Sequence, residues 1–449
     1  MSESEKKQLL EQSEDLRVKV AIVDIDGVLR GKIIRKEKAI DALDNSSSFC
    51  DVVFGWDMND ELYDSTEKDV TGWHTGYPDT SYQLDINTLR HIPWEEDIPF
   101  LLGDFSKSEH PACGRTLLKK VIEECKDLGF EPMFSEEFEW FNFKETPESI
   151  AEKNGLPPTP MTPGMFGYSV LRASQKSPYF NDLFLLLDEF GIPLEGIHTE
   201  TGPGVYEACI HYSDALEAAD RAVLFKTAVK EIALQHGLMA SFMAKWSSEL
   251  PGCSGHIHQS LWKDKQNTFH SSTDENGMSE TMKSFIAGQL LALPQLLPMY
   301  APTINSYKRL VEGAWAPTTL TWGFDNRTTA LRIINPNPKA TRVELRVPGS
   351  DVNPYLAMSA ALASGLYGIK NKLKLTVPPT KGNGYEDFSN GKLPADLKSA
   401  TEMMKHSDLA RELLGDPFVD HFTKTREWEW RKFAQQVTDW EIKRYFEII

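Results

Sequence analysis

From residue 137 to 143 the chain runs Glu-Phe-Glu-Trp-Phe-Asn-Phe, and no other stretch constrains the fold as tightly. Drawn out as a strand, successive side chains point to opposite faces, so Glu137, Glu139, Phe141 and Phe143 share one. Two carboxylates on an otherwise aromatic face repel each other and resist burial, so burying them demands a compensating cation. Taken alone, the pair fits a solvated strand edge better than a cation site.

Three further segments change that balance. Residues 198–207 read His-Thr-Glu-Thr-Gly-Pro-Gly-Val-Tyr-Glu, and a turn at Gly-Pro-Gly would bring Glu200 and Glu207 together. In residues 252–260 (GCSGHIHQS) alternation puts His256, His258 and Ser260 on one face, a pattern that suits a metal or an anionic phosphate but is as often structural. In Arg342-Val343-Glu344-Leu345-Arg346 two guanidiniums flank a carboxylate, which fits a polyphosphate held through metal or a plain salt-bridge ladder. Together the four segments offer five carboxylates and two imidazoles, which points to one metal-rich cleft. Oxygen-dominated ligation favours Mg²⁺ or Mn²⁺ over zinc.

Composition narrows the partners. Lys+Arg 48 against Asp+Glu 66 gives a net charge of -18, which repels phosphate backbones and leaves nucleic acid an unexpected partner. The five cysteines are scattered, with no C-x-x-C pair, so neither a disulfide framework nor a zinc site is expected. The charged start lacks the pattern of a signal peptide, and no apolar run is long enough to span a membrane, so a cytoplasmic protein without membrane contact is expected.

Periodicity gives the organisation. Residues 1–16 read as a flexible, frayed N-terminus, followed by a hairpin about Asp26-Gly27 that opens a small β-rich domain over 17–108. The boundary is expected near residues 106–112, and an α+β domain fills 111–449. A helix is expected over residues 114–129, and others over Asp214–His236, Met278–Met299 and Pro354–Leu373. Strands are expected over Met133–Phe143, Gly196–Tyr212, Leu238–Lys245, Gly255–Trp262, Arg327–Ile334 and Thr341–Val347.

The ordered motifs EFEWFNF, the Glu200–Glu207 turn, ALEAADRAVLFK, GHIHQSL, NSYKRLVEGAWAP, Asn326-Arg327 to Arg332, RVELRV and NPYLAMSAAL resemble the glutamine synthetase family from about residue 17 onward. The resemblance implies a small N-terminal β-grasp-like domain and a large catalytic domain of the glutamine synthetase/guanido kinase type with an antiparallel sheet. It implies ATP and two or more Mg²⁺ (or Mn²⁺) as cofactors. One metal would lie on Glu139, Glu200 and Glu207, the other on Glu137, His256 and Glu344. Positions matching phosphate contacts are His258, Ser260, Arg332, Arg342 and Arg327, the last also catalytic. Arg309, also catalytic, and Arg346 match arginines that grip glutamate and its phosphorylated γ-carboxyl, and Gly252 matches a loop contact to the glutamate backbone. Partners implied are L-glutamate, a small amine, and further copies of the chain in stacked hexameric rings, a dodecamer with sites between subunits.

Two departures bear on the amine. Where ammonia-using members carry a glutamate two residues before proline, this chain has Trp315, which cannot accept a proton but can pack an alkyl chain or sit over a cation. The family's Asp-Gly-Ser-Ser matches Asp57-Met58-Asn59-Asp60, with only the first aspartate kept. These features resemble the branch acting on polyamines, ethanolamine or alkylamines, with the ammonia-dependent synthetase as the alternative and a non-catalytic structural relative as a third reading. Asp57 of a neighbouring subunit is the expected base, Glu312 a weaker one, and Tyr168 a pocket residue.

Overall fold

The computed structural model describes residues 2–45, 47–67, 69–106, 109–153 and 157–449. The hairpin forms as expected: Arg17–Val23 pairs antiparallel with Leu29–Arg35. Val18, Val20 and Ile22 point into a small core, while Ala21 and Val23 point the other way into the main core. Ile98–Asp104 adds in parallel to the first strand, and Asp79–Leu84 and Ser47–Cys50 extend the sheet antiparallel. This mixed sheet, with the helix Lys36–Asn45 packed on it, is the β-grasp-like unit.

The N-terminal segment differs from the frayed helix expected of it. Ser2 and Glu5 form a capping box at the head of the helix Glu3–Gln12, and Leu10 is fully buried in the small core. The expected boundary falls partly on residues 107 and 108, outside the described residues. Beyond it Ala112 and Cys113 still pack into the small core, and the helix Gly114–Asp127 then turns toward the main one.

The large sheet is antiparallel apart from the parallel pair Trp322–Phe324 and Leu331–Ile334, with Gly255–Lys263 and Glu131–Phe143 at its centre. One face of the Glu131–Phe143 strand presents Phe138 and Trp140 to the helix Ala215–Gln235, where they pack on Phe225. Each such buried aromatic contributes about 1.5–3 kcal/mol. Glu136 shares this apolar face, and burial raises its carboxyl to about 8 despite the opposing charge of Lys226. The opposite face carries Glu137 and Glu139.

Several elements are shorter than their patterns suggest. Pro294 ends one helix at Ala292, so Met278–Met299 becomes Glu280–Ala292 and Leu297–Tyr300. The strand expected over Arg327–Ile334 begins only at Leu331, because the Asn326 side chain accepts from the Thr328 N–H and hydroxyl and turns the chain there. Arg327 therefore sits on an exposed turn. The strand expected from Leu238 is confined to Met239–Ser241. No helix among the described residues is long and apolar enough to cross a membrane.

Candidate active site

Strand register brings the acidic residues together. Glu137 lies opposite His256, Glu139 opposite Glu207, and Glu344 opposite both His258 and Arg332. The 202–204 turn that returns Glu207 needs its glycines: Gly204 has φ 72°, and a Cβ there would stand 2.5 Å from the Asn142 carbonyl oxygen. Gly252 is required by closeness alone, since a Cβ would stand 2.5 Å from the Ala244 carbonyl oxygen.

The cleft so formed, about 650 Å³, is lined by thirteen of the expected site residues: Glu137, Glu139, Glu200, Glu207, His256, His258, Gly252, Tyr168, Trp315, Arg327, Arg332, Arg342 and Arg346. A second cavity of about 470 Å³ shares Glu137, His258 and Arg342 with it and holds Ser260, whose hydroxyl accepts from the Trp262 indole at 3.0 Å. Glu344 lies beneath the floor, 1% exposed, with Arg346 Nη1 at 2.5 Å and Arg332 Nη1 at 2.8 Å.

The charges on this floor do not balance uniformly. Burial opposes ionisation of Glu344, but Arg346 and then the two histidines and Arg332 hold its carboxyl at about 2. Glu139 goes the other way: burial raises it to about 7 against the pull of Arg309, with Glu200 and Glu137 adding repulsion. Glu207 is pushed up strongly by burial and by the neighbouring Glu137, which itself is held low, against burial, by His256 and His258.

Among the described residues, ligand atoms within 4.8 Å of one another fall into three groups: Glu137–His258–Glu344, Glu137–Glu207–His256 and His198–Glu200–Glu207. These overlap the two expected trios but partition them differently, and Glu139 belongs to none. Its Oε2 accepts instead from the Ser254 N–H at 2.8 Å. The donor set fits divalent cations on its own chemistry. His256 is 3% exposed, burial lowers it to about 4 so that it is neutral, and its Nε2 has no hydrogen-bond partner. With Nδ1 3.4 Å from both Glu137 and Glu344, a neutral imidazole with a free ring nitrogen beside these carboxylates could serve as a ligand to a cation.

Two expected residues lie elsewhere. Arg309 is 2% exposed and its guanidinium donates to the carbonyls of Val347 and Arg346 and to Ser254 Oγ, so it braces the floor from below rather than lining the cleft. Asp57 is 8% exposed and accepts from the N–H groups of Asn59 and Glu61 and from the Trp428 indole, away from this cleft. Glu312 is exposed beside the rim.

Two residues at the site were not singled out from the sequence. His198 lies between Glu200 and Glu207, at 3.8 and 3.5 Å, and stacks under Tyr168 with centroids 4.4 Å apart. Its place in the H-x-E alternation could have revealed it. Cys209 donates to Glu137 Oε2 at 2.7 Å, and strand parity from Glu207 was the available clue. All five cysteines are free thiols.

The family profile described as "Glutamine synthetase, catalytic domain" matches residues 111–445. Type-1 glutamine synthetase 2 of Dictyostelium discoideum is 53% identical over 96% of this chain and 84% of its own. The glutamate–isopropylamine ligase of a Pseudomonas species is 38% identical over 100% of both chains. The γ-glutamylethanolamide synthetase of Streptomyces coelicolor is 35% identical over 96% of this chain and 92% of its own. A solved structure of GmaS with ADP superposes with a TM-score of 0.83 at 26% identity, covering 98% of this chain and 99% of that one. With the fold, the paired carboxylate strands and these relatives in agreement, the chain belongs to the glutamine synthetase family of ligases, whose members use ATP and divalent metals.

Proposed function

We propose that this protein joins the γ-carboxylate of L-glutamate to an organic amine (an alkylamine, ethanolamine or a polyamine) at the expense of ATP. The observation that carries the reading is the rim: Trp315 and Tyr168, 60% and 70% exposed, stand over a floor of buried carboxylates, and no acidic side chain occupies the Trp315 position.

In this reading Glu137, Glu139, Glu200, Glu207, His256 and Glu344 hold two divalent ions, which when bound offset charge on the transferred phosphoryl group. Arg342, His258 and Ser260 hold the ATP phosphates from the smaller cavity and Arg332 from the larger cleft, while Arg327 reaches over from its exposed turn. Arg346 and Gly252 hold glutamate, with Arg309 fixing both from beneath. The γ-carboxylate oxygen bonds to the terminal phosphorus, ADP leaves, the amine nitrogen attacks the acyl phosphate, and phosphate departs. The amine must first lose a proton, since presenting an alkylammonium neutral at pH 7 costs roughly 4–5 kcal/mol without a base. Asp57 of a neighbouring subunit is the proposed acceptor, which requires the stacked-ring assembly.

The second reading, an ammonia-dependent glutamine synthetase, is favoured by the 53% identity to the Dictyostelium relative. Phosphate release from ATP plus glutamate, measured across ammonia, ethanolamine, monoalkylamines, putrescine and spermidine, separates the two. A preference for ammonia over every organic amine overturns the amine-ligase reading.

A further inference from the structure

The segment carrying Asp57 has almost no regular structure of its own, yet its shape is fixed. Asp57 Oδ1 accepts from the N–H groups of Asn59 at 2.9 Å and Glu61 at 3.0 Å, closing a tight turn in which Asp60 takes the left-handed conformation, φ 63°. The rest of the restraint comes from the far end of the chain. On the helix Asp416–Ala434, residues 424, 428, 431 and 432 follow the spacing of one helical face. Each meets an acidic partner on the loop: Lys424 with Asp69, Trp428 with Asp57, Arg431 with Asp64 at 2.7 Å, and Lys432 with Glu61.

Trp428 is the centre of this clamp. Its indole N–H donates to Asp57 Oδ2 at 3.0 Å, its ring meets Tyr63 edge-on at 5.8 Å, and the Lys432 ammonium sits 4.6 Å from the ring centroid. It is 8% exposed, so the hydrogen bond is shielded from water. The neighbouring Arg426, also buried, ties the helix to Asp26 in the hairpin turn at 2.5 Å. The Arg431–Asp64 and Lys432–Glu61 pairs are exposed and individually worth little, while Lys424–Asp69 is half-buried. The buried indole–carboxylate bond is charge-assisted and therefore the strong member.

We infer that the helix Asp416–Ala434 is a clamp that sets the amine-side loop, with Trp428 the positioning residue that orients Asp57. The inference rests on the proposed role of that loop in receiving the amine. With both carboxylate oxygens of Asp57 occupied, the direction it offers a neighbouring active site is decided by the C-terminal helix, roughly 370 residues away in sequence. Amine selectivity is then adjustable from a helix that touches neither ATP nor glutamate.

Trp428→Phe keeps the ring against Tyr63 and removes the N–H. In the assembled enzyme the expected result is a KM for the amine raised roughly tenfold, the scale of one charge-assisted hydrogen bond, with the KM values for ATP and glutamate unchanged. Hydrogen exchange should quicken at the Asn59 and Glu61 amides and nowhere in the catalytic sheet. Lys432→Gln, milder and free of any folding risk in the core, should move the same two readouts in the same direction by a smaller factor. Unchanged amine KM in both variants, or equal changes in all three KM values, overturns the clamp. Asp57→Asn separates the two ideas: if it leaves the amine KM untouched, the loop's role in amine binding is what fails. If it raises that KM while Trp428→Phe does not, the clamp alone fails.

Discussion

The floor and the rim of the cleft are built on opposite principles. The floor is buried charge on paired strands: Glu344 is 1% exposed and His256 3%, and cross-strand register fixes each against its neighbours. The rim is exposed aromatic surface on loops, where Trp315 and Tyr168 hold left-handed backbones with φ 58° and 54° that large side chains rarely adopt. Preorganisation of charge needs a rigid frame, whereas selecting an organic group needs a surface that can differ among relatives without disturbing that frame. Substitutions on the floor should therefore change whether the enzyme turns over. Substitutions on the rim should change what it turns over.

The largest effect is expected at Glu344. Glu344→Ala removes the carboxylate that two guanidiniums and two histidines converge on, and ATP turnover should fall on the order of 10³-fold. Stability should fall as well, by about 3 kcal/mol, because Arg346 loses its carboxylate partner in a buried site, whereas Arg332 keeps Asp325. The pH dependence follows from the same charge: a carboxyl held at about 2 stabilises the fold above its unfolded pKa, and that contribution is lost as pH falls toward 2. Steady-state phosphate release and urea melts from pH 3 to 8 check both, and near-normal turnover would remove Glu344 from the metal and phosphate site.

Glu139 sharpens the comparison within the floor itself. Glu139→Gln should also abolish turnover, yet stabilise the metal-free protein, since a carboxyl raised to about 7 costs stability once it is forced to ionise. The sign is fixed by the direction of the shift. Stability conferred by a raised carboxyl is complete below its unfolded pKa and is lost as pH rises through 7, so the variant should gain up to about 3 kcal/mol at pH 8 and nothing below about pH 4. Melts in excess chelator would show it. A gain of equal size at both pH values would mean that repulsion is not the cause.

The same contrast explains what could be read in the sequence. Strand alternation is a strict period of two, so Glu137 with Glu139, His256 with His258, and Arg342 with Glu344 and Arg346 were placed on shared faces from spacing alone. Which of them would be attracted and which repelled depended on cross-strand neighbours, and that was not legible. The rim residues could be named from resemblance, but their backbone strain and the stacking of Tyr168 on His198 arise only from the folded arrangement of distant segments. Asp57 stood out as an aspartate, while the helix that occupies its carboxylate lies 371 residues on and carries no local signal of the loop it meets. Leu10, expected in solvent, is buried for the same reason: one apolar residue in a charged helix docks only because a distant sheet supplies the surface.

On the rim, Trp315→Glu should shift the ratio of kcat/KM for organic amine over ammonia by at least about tenfold toward ammonia, about 1.4 kcal/mol. An ammonium gains a carboxylate partner and an alkyl chain loses an apolar wall, so both terms act in one direction. ATP turnover with saturating amine should change far less than in Glu344→Ala. Kinetics with ammonia and a panel of amines decide it, and a ratio that does not move would detach Trp315 from amine selection.

The smallest effect tests the rim's strain directly. Asparagine tolerates the left-handed region far better than tryptophan or tyrosine, so Trp315→Asn should stabilise the protein slightly, by about 0.5–1 kcal/mol, because the indole is 60% exposed and gives up little burial. Tyr168→Asn relieves the same kind of strain but loses the stack on His198, itself worth about 0.5–1.5 kcal/mol, so its net change should lie near zero or below. The two variants share a backbone conformation and differ mainly in what the ring touches. Paired chemical denaturation at pH 7 therefore isolates the stack: a Trp315→Asn that destabilises by more than about 1 kcal/mol would show that the indole is packed in solution, and that the rim is part of the rigid frame after all.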